Sequence, residues 1–365
     1  MRILISAFSN LYTDQRIEKV CATLHAAGYE VELIGTTFGG SSPMERPYSF
    51  SRIAQRTGNL KLAYPVFNWK LYFELRKKAN SKTILLANDL DALGPNVLIS
   101  KQLNIPLVFD SHEIFTEMPA IQGRITQKIW RFLEKTLIKH VPYMMTESVS
   151  YARWFQEKYQ QEAAVIRNIP RKITETPLFP DNNPKIIIYQ GAINQSRGIP
   201  QAILSLHLLD HVILKIAGEG PKKAEYETLV KKENLSHKVQ FMGKLSPEEL
   251  RNFTSAADVS LSIEEKGGVS YYYSLPNKVG DSIQARVPLV MINFPEMQRV
   301  YDRFKVGELV ENHDPQNLAQ KIKIVLENGR QFYRHELDRA AEELCWEKEE
   351  RKIITLFNRV VAENF

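Results

Sequence analysis

Ser270-Tyr-Tyr-Tyr-Ser-Leu-Pro276-Asn277-Lys278-Val-Gly-Asp281, followed by Ser-Ile-Gln-Ala-Arg-Val-Pro-Leu-Val290, reads as a loop stopped by a proline, a helix start and then a buried strand. Pro276 ends the loop, and the helix is expected to begin near Asn277 or Lys278. A helix N-terminus presents open backbone N–H groups and the positive end of a dipole, which suits a phosphate. Lys278 adds a cation at that place. Asp281 lies one turn further in, where a carboxylate accepts hydrogen bonds from a ribose diol. The same residues also fit an ordinary capped helix with Asn277 as its N-cap. The local pattern does not choose between the two.

Working outward, short apolar runs alternate with amphipathic stretches over the whole chain. In the first half, strand patterns fall at Arg2–Phe8, Tyr29–Ile34, Thr83–Ala87, Pro106–Asp110, Val141–Met145 and Ala163–Ile166. Asp14–Gly28 carries Ile17, Val20, Cys21 and Leu24 at the spacing of a one-faced helix. Ile169–Pro184 then holds four prolines and the polar Asp181-Asn182-Asn183, the texture of a linker. After it the alternation restarts, with strands at Lys185–Gln190, His211–Ala217, Lys238–Phe241, Asp258–Ile263, Val287–Ile292 and Glu308–Val310. Helical patterns lie at Arg197–His207, Pro221–Glu233, Pro247–Ser255, Asn277–Ala285 and Pro315–Glu327. Strands alternating with helices predict parallel sheets covered on both faces. The expectation is an α/β chain of two Rossmann-like domains facing a cleft: 1–170, a linker over 171–184, 185–345, and a final amphipathic helix over 346–365. Ligands of open parallel sheets lie beyond the carboxyl ends of the strands, so the loops after each strand carry the chemistry.

Composition narrows the classes. With 365 residues, 44% hydrophobic and 25% charged, the chain suits two globular cores and neither a disordered nor a collagen-like protein. The apolar run at the N-terminus is too short for a signal peptide, and no stretch approaches the ~20 apolar residues that span a bilayer. A cytoplasmic protein, or one peripheral on the inner face of the cytoplasmic membrane, is expected. Cys21 and Cys345 have no metal or redox spacing, and Cys21 reads as a buried small hydrophobe. The net charge of +6 belongs entirely to the residues up to Pro170, the remainder being neutral. A basic first half suits a phosphate-bearing partner or an anionic membrane.

Two further loops point toward a nucleotide diphosphate. Gly191-Ala-Ile-Asn-Gln-Ser-Arg197-Gly198 follows one strand pattern and puts Arg197 at a helix start. Ile216-Ala-Gly218-Glu219-Gly220-Pro221 follows the next, and its glycines let backbone approach a ligand closely. Neither is the G-x-G-x-x-G fingerprint, which argues against a nicotinamide dinucleotide enzyme.

The order Gly-Ala-Ile-x-x-x-Arg-Gly, Leu-x-Ile-Ala-Gly-Glu-Gly-Pro, Val-x-Phe-x-Gly and Leu-Pro-Asn-Lys-x-x-Asp, with Pro-Leu-Val downstream, resembles the C-terminal half of glycosyltransferase family 4. The resemblance covers nearly the whole chain. It implies the GT-B architecture, a retaining reaction on a UDP- or GDP-linked sugar, no cofactor and no metal, and a last helix from Trp346 that crosses back to the N-terminal domain. By the same resemblance Arg197, Asn277 and Lys278 contact the donor diphosphate and Asp281 holds the ribose. Gly191, Gly218, Glu219, Gly220 and Gly243 line the donor, Gly243 lying where the family usually sets backbone against the base. The chain departs from the family at two places: Tyr273 stands where many members have the first of two glutamates, and Ala192 replaces a second basic residue. Glu264 and Glu265 are candidates for holding the donor sugar, and equally for solvated loop charges.

Phe109-Asp-Ser-His112-Glu113-Ile-Phe-Thr-Glu117 follows a strand and resembles the family element whose histidine lies near the donor sugar and diphosphate. His112 is therefore grouped with Arg197 and Lys278 as a catalytic residue, and Asn10, Asn88, Asp89 and Glu113 are assigned to the acceptor side. Asn88 and Asp89 either orient His112 or meet the acceptor. Asp14 caps the first helix on the simplest reading, with Arg16 in the same turn. The partners implied are a nucleotide-sugar donor and a glycan or lipid-linked acceptor in cell-surface polysaccharide assembly, and no nucleic acid. Lys61–Lys82 mixes aromatic and basic residues and is read as either a core helix or a contact with anionic membrane or acceptor lipid; Arg124–Lys139 reads as a core-packed helix. Two other functions fit the pattern. One is a non-catalytic nucleotide-sugar-binding subunit, suggested by Tyr273 and Ala192; the other is a sugar-nucleotide epimerase, which would need further acid–base groups.

Overall fold

The computed structural model describes residues 1–37, 43–55, 58–175, 177 and 179–365, so positions 176 and 178 of the expected linker lie outside the described residues. The chain packs as two units: residues 1–168 with 349–365, and residues 169–348.

Unit 1 contains strands β1 (Arg2–Asn10), β2 (Glu30–Thr37), β3 (Ser49–Ala54), β4 (Thr83–Asn88), β5 (Leu107–Ser111), β6 (Tyr143–Thr146) and β7 (Ala164–Val165). They form one sheet in the order β3-β2-β1-β4-β5-β6-β7, parallel throughout. Its helices are α1 (Gln15–Ala26), α2 (Leu60–Lys78), α3 (Leu90–Leu103), α4 (Ile125–Leu137) and α5 (Val149–Tyr159). The central strands β4 and β5 are buried along their whole length, as continuous apolar runs in a parallel sheet require. Asp14 caps α1 by accepting from the Ile17 N–H, and Cys21 is fully buried on the helix's apolar face.

Unit 2 contains β8 (Lys185–Gln190), β9 (Val212–Ala217), β10 (Val239–Gly243), β11 (Val259–Ser262), β12 (Leu289–Ile292) and β13 (Gly307–Val310), in the order β10-β9-β8-β11-β12-β13. Its helices are α6 (Ile199–Ser205), α7 (Lys223–Lys232), α8 (Pro247–Ser255), α9 (Val269–Tyr273), α10 (Asn277–Gln284), α11 (Pro295–Phe304) and α12 (Pro315–Glu343). Ser246 and Glu249 close a reciprocal capping box on α8. α12 runs well past the predicted Glu327 and is broken at Gly329, whose φ of 71° is not helical. The next residue, Arg330, is buried and donates to the carbonyls of Ser255, Ala257, Ala285 and Arg286.

The last helix, α13 (Trp346–Asn364), begins in unit 2, where the Trp346 N–H donates to the Pro170 carbonyl at 2.9 Å. From Glu349 onward it belongs to unit 1, where Ile353, Phe357 and Val360 are fully buried and Phe357 meets the Tyr29 ring.

In both sheets the strand order reverses beside the first strand, between β1 and β4 in unit 1 and between β8 and β11 in unit 2. At such a point the connections leave in opposite directions and open a crevice beyond the carboxyl ends of the strands. The loops that matter are therefore those after β1, β4 and β5, and after β8, β9 and β11.

Candidate functional site

In unit 2 the loops after β8, β9 and β10 are laced together by backbone bonds. The Gly191 N–H donates to the Ala217 carbonyl, Ile193 to Glu219 and Gly218 to Gly243. This lacing leaves no space for side chains at the turn. A Cβ at Gly218 would lie 1.8 Å from the Gly191 carbonyl oxygen, at a φ of +146°, and one at Gly220 would lie 2.3 Å from the Ile193 oxygen. Glu219 between them points outward, half exposed, and pairs with Lys223 at 2.7 Å.

α10 opens beside this floor. Its N-cap is Pro276, with no side-chain cap, and Asn277 is already the first helical residue, exposed. The reading of Asn277 as an N-cap therefore fails: a proline with extended ψ occupies the cap position and gives the first turn no side-chain cap. One position on, Lys278 is only 7% exposed. Its ammonium lies 4.0 Å above the Tyr189 ring, beside the Gly191 backbone, and 2.7 Å from Glu264 Oε1. Glu264, 1% exposed at the end of β11, is thus no solvated loop charge. Burial would raise its carboxyl, but Lys278, with Arg197 beyond it, outweighs burial and holds it below the ordinary value. Arg197 lies in the loop before α6, its guanidinium 4.6 Å over the Tyr271 ring and Nη2 donating to the Tyr271 hydroxyl at 3.3 Å. Asp281 accepts from Gln190 Nε2 at 2.8 Å, and Gln190 in turn accepts from the Thr254 hydroxyl at 2.6 Å. Unit 2 thus gathers two cations, an open helix N-terminus and an oriented carboxylate around the carboxyl ends of β8 and β11.

Unit 1 gathers charge at the corresponding strand ends. Asp89 follows β4 with a φ of 59° and a ψ of 165°, a strained conformation outside the left-handed helical region. It accepts from the His112 backbone N–H at 2.9 Å and faces His112 Nδ1 at 3.3 Å. His112 Nε2 lies 3.2 Å from both Asp110 Oδ2 and Asn88 Oδ1. Burial alone would lower the imidazole, but Asp89 and Asp110 push it up to about 10. Burial would likewise raise Asp110, yet Arg16 and His112 pull it down to about 2. Arg16 is therefore no surface group of the first turn. It is 3% exposed, holds Asp110 through Nη2 and Nε at 2.6 and 3.0 Å, and donates to the Ile166 carbonyl. Asn88 and Asp89 thus both contact His112. Asn10, at the end of β1, accepts from the Tyr12 N–H and caps its own turn, and the Glu113 carbonyl takes the Ser111 hydroxyl. Glu147, after β6, was not singled out in the sequence; burial pushes its carboxyl up to about 8, with Arg16 opposing and Glu113 reinforcing.

The two basic aromatic helices of unit 1 each have a buried and an exposed apolar face. α2 buries Phe67, Leu71 and Leu75 on one face but exposes Leu62, Val66, Trp69 and Phe73 on another. α4 packs Trp130 and Leu137 against the core of the unit, as expected, with Ile138 buried just beyond it, but also exposes Ile125 (78%), Ile129 and Phe132. The two helices touch through Tyr64 and Trp130, ring centroids 5.3 Å apart. Among the described residues no helix is long and apolar enough to cross a membrane.

Two parallel α/β sheets of this strand order, one bearing cations and an open helix N-terminus at its switch point, define the GT-B class. The model for glycosyl transferases group 1 matches residues 171–344 and the model for Glycosyltransferase Family 4 matches residues 15–173, so the chain belongs to these glycosyltransferases. No curated protein matches it by sequence. Among solved structures it is similar to sucrose-phosphate synthase from Thermosynechococcus elongatus, at 17% identity and a TM-score of 0.83 with all of both chains covered. HepE from Anabaena in complex with UDP-glucose matches at 14% identity and a TM-score of 0.77, over 98% of this chain and 100% of the other. WaaG, a glycosyltransferase involved in lipopolysaccharide biosynthesis, matches at 13% and 0.72, over 98% and 99%.

Proposed function

We propose that this glycosyltransferase is a retaining enzyme that moves a sugar from a UDP- or GDP-linked donor to a hydroxyl of a glycan or lipid-linked acceptor, in cell-surface polysaccharide assembly. The observation that carries the reading is the convergence of Arg197, Lys278 and the uncapped start of α10 at the β8/β11 switch point. Negative charge grows on the diphosphate as the anomeric C–O bond loosens, and cations and dipoles already in place stabilise that charge without reorganising. The glycine-built floor of Gly191, Gly218, Gly220 and Gly243 lets the donor approach backbone, and Asp281, turned by Gln190, receives the ribose diol. Lys278 stands beside the Gly191–Ala192 turn, so α10 supplies the cation that position 192 lacks. His112, with both ring nitrogens facing its own carboxylates and asparagine, acts as a fixed positive charge rather than as a general base. Asn10, Asn88, Asp89 and Glu113 form the acceptor side, Asn88 and Asp89 also holding His112. The UDP-glucose complex of HepE and the lipopolysaccharide role of WaaG support this choice of donor and acceptor class.

The reaction is proposed to run at an anionic membrane surface. The exposed apolar residues of α2 and α4 are flanked by exposed Lys61, Lys77, Arg124, Lys128 and Lys135, a combination that favours anionic lipid.

A thermal-shift screen of nucleotide-sugars, followed by product analysis by NMR with a glycan or lipid-linked acceptor and with EDTA present, tests the reading. Stabilisation by one donor and a product of unchanged anomeric configuration are expected. Inverted configuration would overturn the retaining assignment, and donor binding with neither transfer nor slow hydrolysis would favour a non-catalytic subunit.

A further inference from the structure

Glu264 is held in place from three directions. Oε1 faces the Lys278 ammonium at 2.7 Å, Oε2 accepts from the Ser262 hydroxyl at 2.9 Å, and its backbone carbonyl lies 3.1 Å from His313 Nε2. Both members of the pair are more than nine-tenths buried. Lys278 has three N–H donors, and among the described residues its ammonium meets this one carboxylate and the face of Tyr189. Donor capacity is therefore left over, on the side of the Gly191 loop. Removing one member of a buried pair strands the other without a partner, which is strongly destabilising. A bound diphosphate would bring further anionic oxygens to the same ammonium, beside a carboxylate that is fixed and cannot withdraw.

We propose that Glu264 is the counter-ion of Lys278, a positioning residue that keeps the ammonium placed in the empty donor site and opposes the diphosphate once it is bound, so that the spent nucleoside diphosphate leaves readily. This rests on the donor-site reading above. A buried negative charge next to the ligand phosphates makes wild-type affinity a compromise. Without that charge the lone ammonium destabilises the empty protein, and the ligand relieves it.

Calorimetric titration with UDP, GDP and ADP tests this in wild type, Glu264→Gln, Lys278→Met and the double variant. Glu264→Gln is expected to melt earlier when empty, yet to bind the preferred diphosphate at least about tenfold more tightly, the scale of one partly screened charge–charge contact. Lys278→Met is expected to bind at least about tenfold more weakly than wild type, and the double variant to recover most of that loss. Equal or weaker binding by Glu264→Gln would overturn the inference, because a merely structural role predicts that result. Should Glu264→Gln not fold, the double variant decides alone, having no buried charge to strand; binding as weak as that of Lys278→Met overturns the proposal. Wild type that binds none of the three diphosphates would sink the donor-site reading itself, and this inference with it.

Discussion

His112 Nε2 stands 3.2 Å from the Asp110 carboxylate, whose oxygens are also bonded by Arg16. The imidazole is held charged to about pH 10 in the folded unit, against roughly 6.5 in an unfolded chain. Its contribution to stability is complete below about pH 6.5 and disappears as the pH rises toward 10. Glu147 acts in the same direction at lower pH, being neutral up to about 8 when folded and ionised from roughly 4.3 when unfolded. Melting temperature should therefore fall between pH 6.5 and 10, and His112→Gln should flatten the fall. An equal slope in the variant would show that another group carries it.

Asp110→Asn strips the buried Arg16 of the carboxylate bonded to it at the end of β5 and leaves His112 with Asp89 alone. Losses of about 3–5 kcal/mol are typical when one member of a buried pair is removed. Chemical denaturation should place Asp110→Asn in that range, with Asp14→Ala, which removes only a helix cap, near about 1 kcal/mol.

Gly218→Ala should abolish nucleoside diphosphate binding, because its methyl would lie 1.8 Å from the Gly191 oxygen and force apart the loops after β8 and β9. Gly28, with a φ of +90° but nothing within 4 Å, is the control. Its alanine variant meets only the strain of a left-handed backbone, about 1 kcal/mol, and titrations should show binding unchanged.

Tyr271 supports Arg197 twice, with the face of its ring and with its hydroxyl. Tyr271→Phe keeps the stacking and should weaken donor binding by no more than a few-fold. Tyr271→Ala removes the platform and should weaken it about tenfold, as a partly desolvated cation–π contact implies. Matching losses in both variants would assign the effect to the hydroxyl.

Much of this was legible in the chain. β8 is a run of β-branched residues bounded by Asn183-Pro184 and Gly191, and its predicted and observed limits coincide. The start of α10 could be read from Pro276 alone. β3 could not: it is an edge strand whose Ser49 is exposed and whose Ser51 and Arg52 are only partly covered, so the alternation that marks a strand is diluted by polar residues. The ion pairs were also hidden, since Arg16 and Asp110 are 94 positions apart and each has an ordinary local explanation. Glu264 and Glu265 are chemically the same in the sequence. The backbone at the end of β11 buries the first and leaves the second partly exposed, a distinction that only the packing makes.

α13 gives the chain an unusual order of assembly. The N-terminal unit takes Ile353, Phe357 and Val360 into its own core, each removing about 1.5–3 kcal/mol worth of apolar surface from water. On a ribosome, residues 1–168 emerge first yet lack those side chains until residues 349–365 have followed, whereas unit 2 has its complete sequence earlier. The first half to be made is thus the last to be finished, and a stop codon after Lys348 would damage the front of the protein rather than its end.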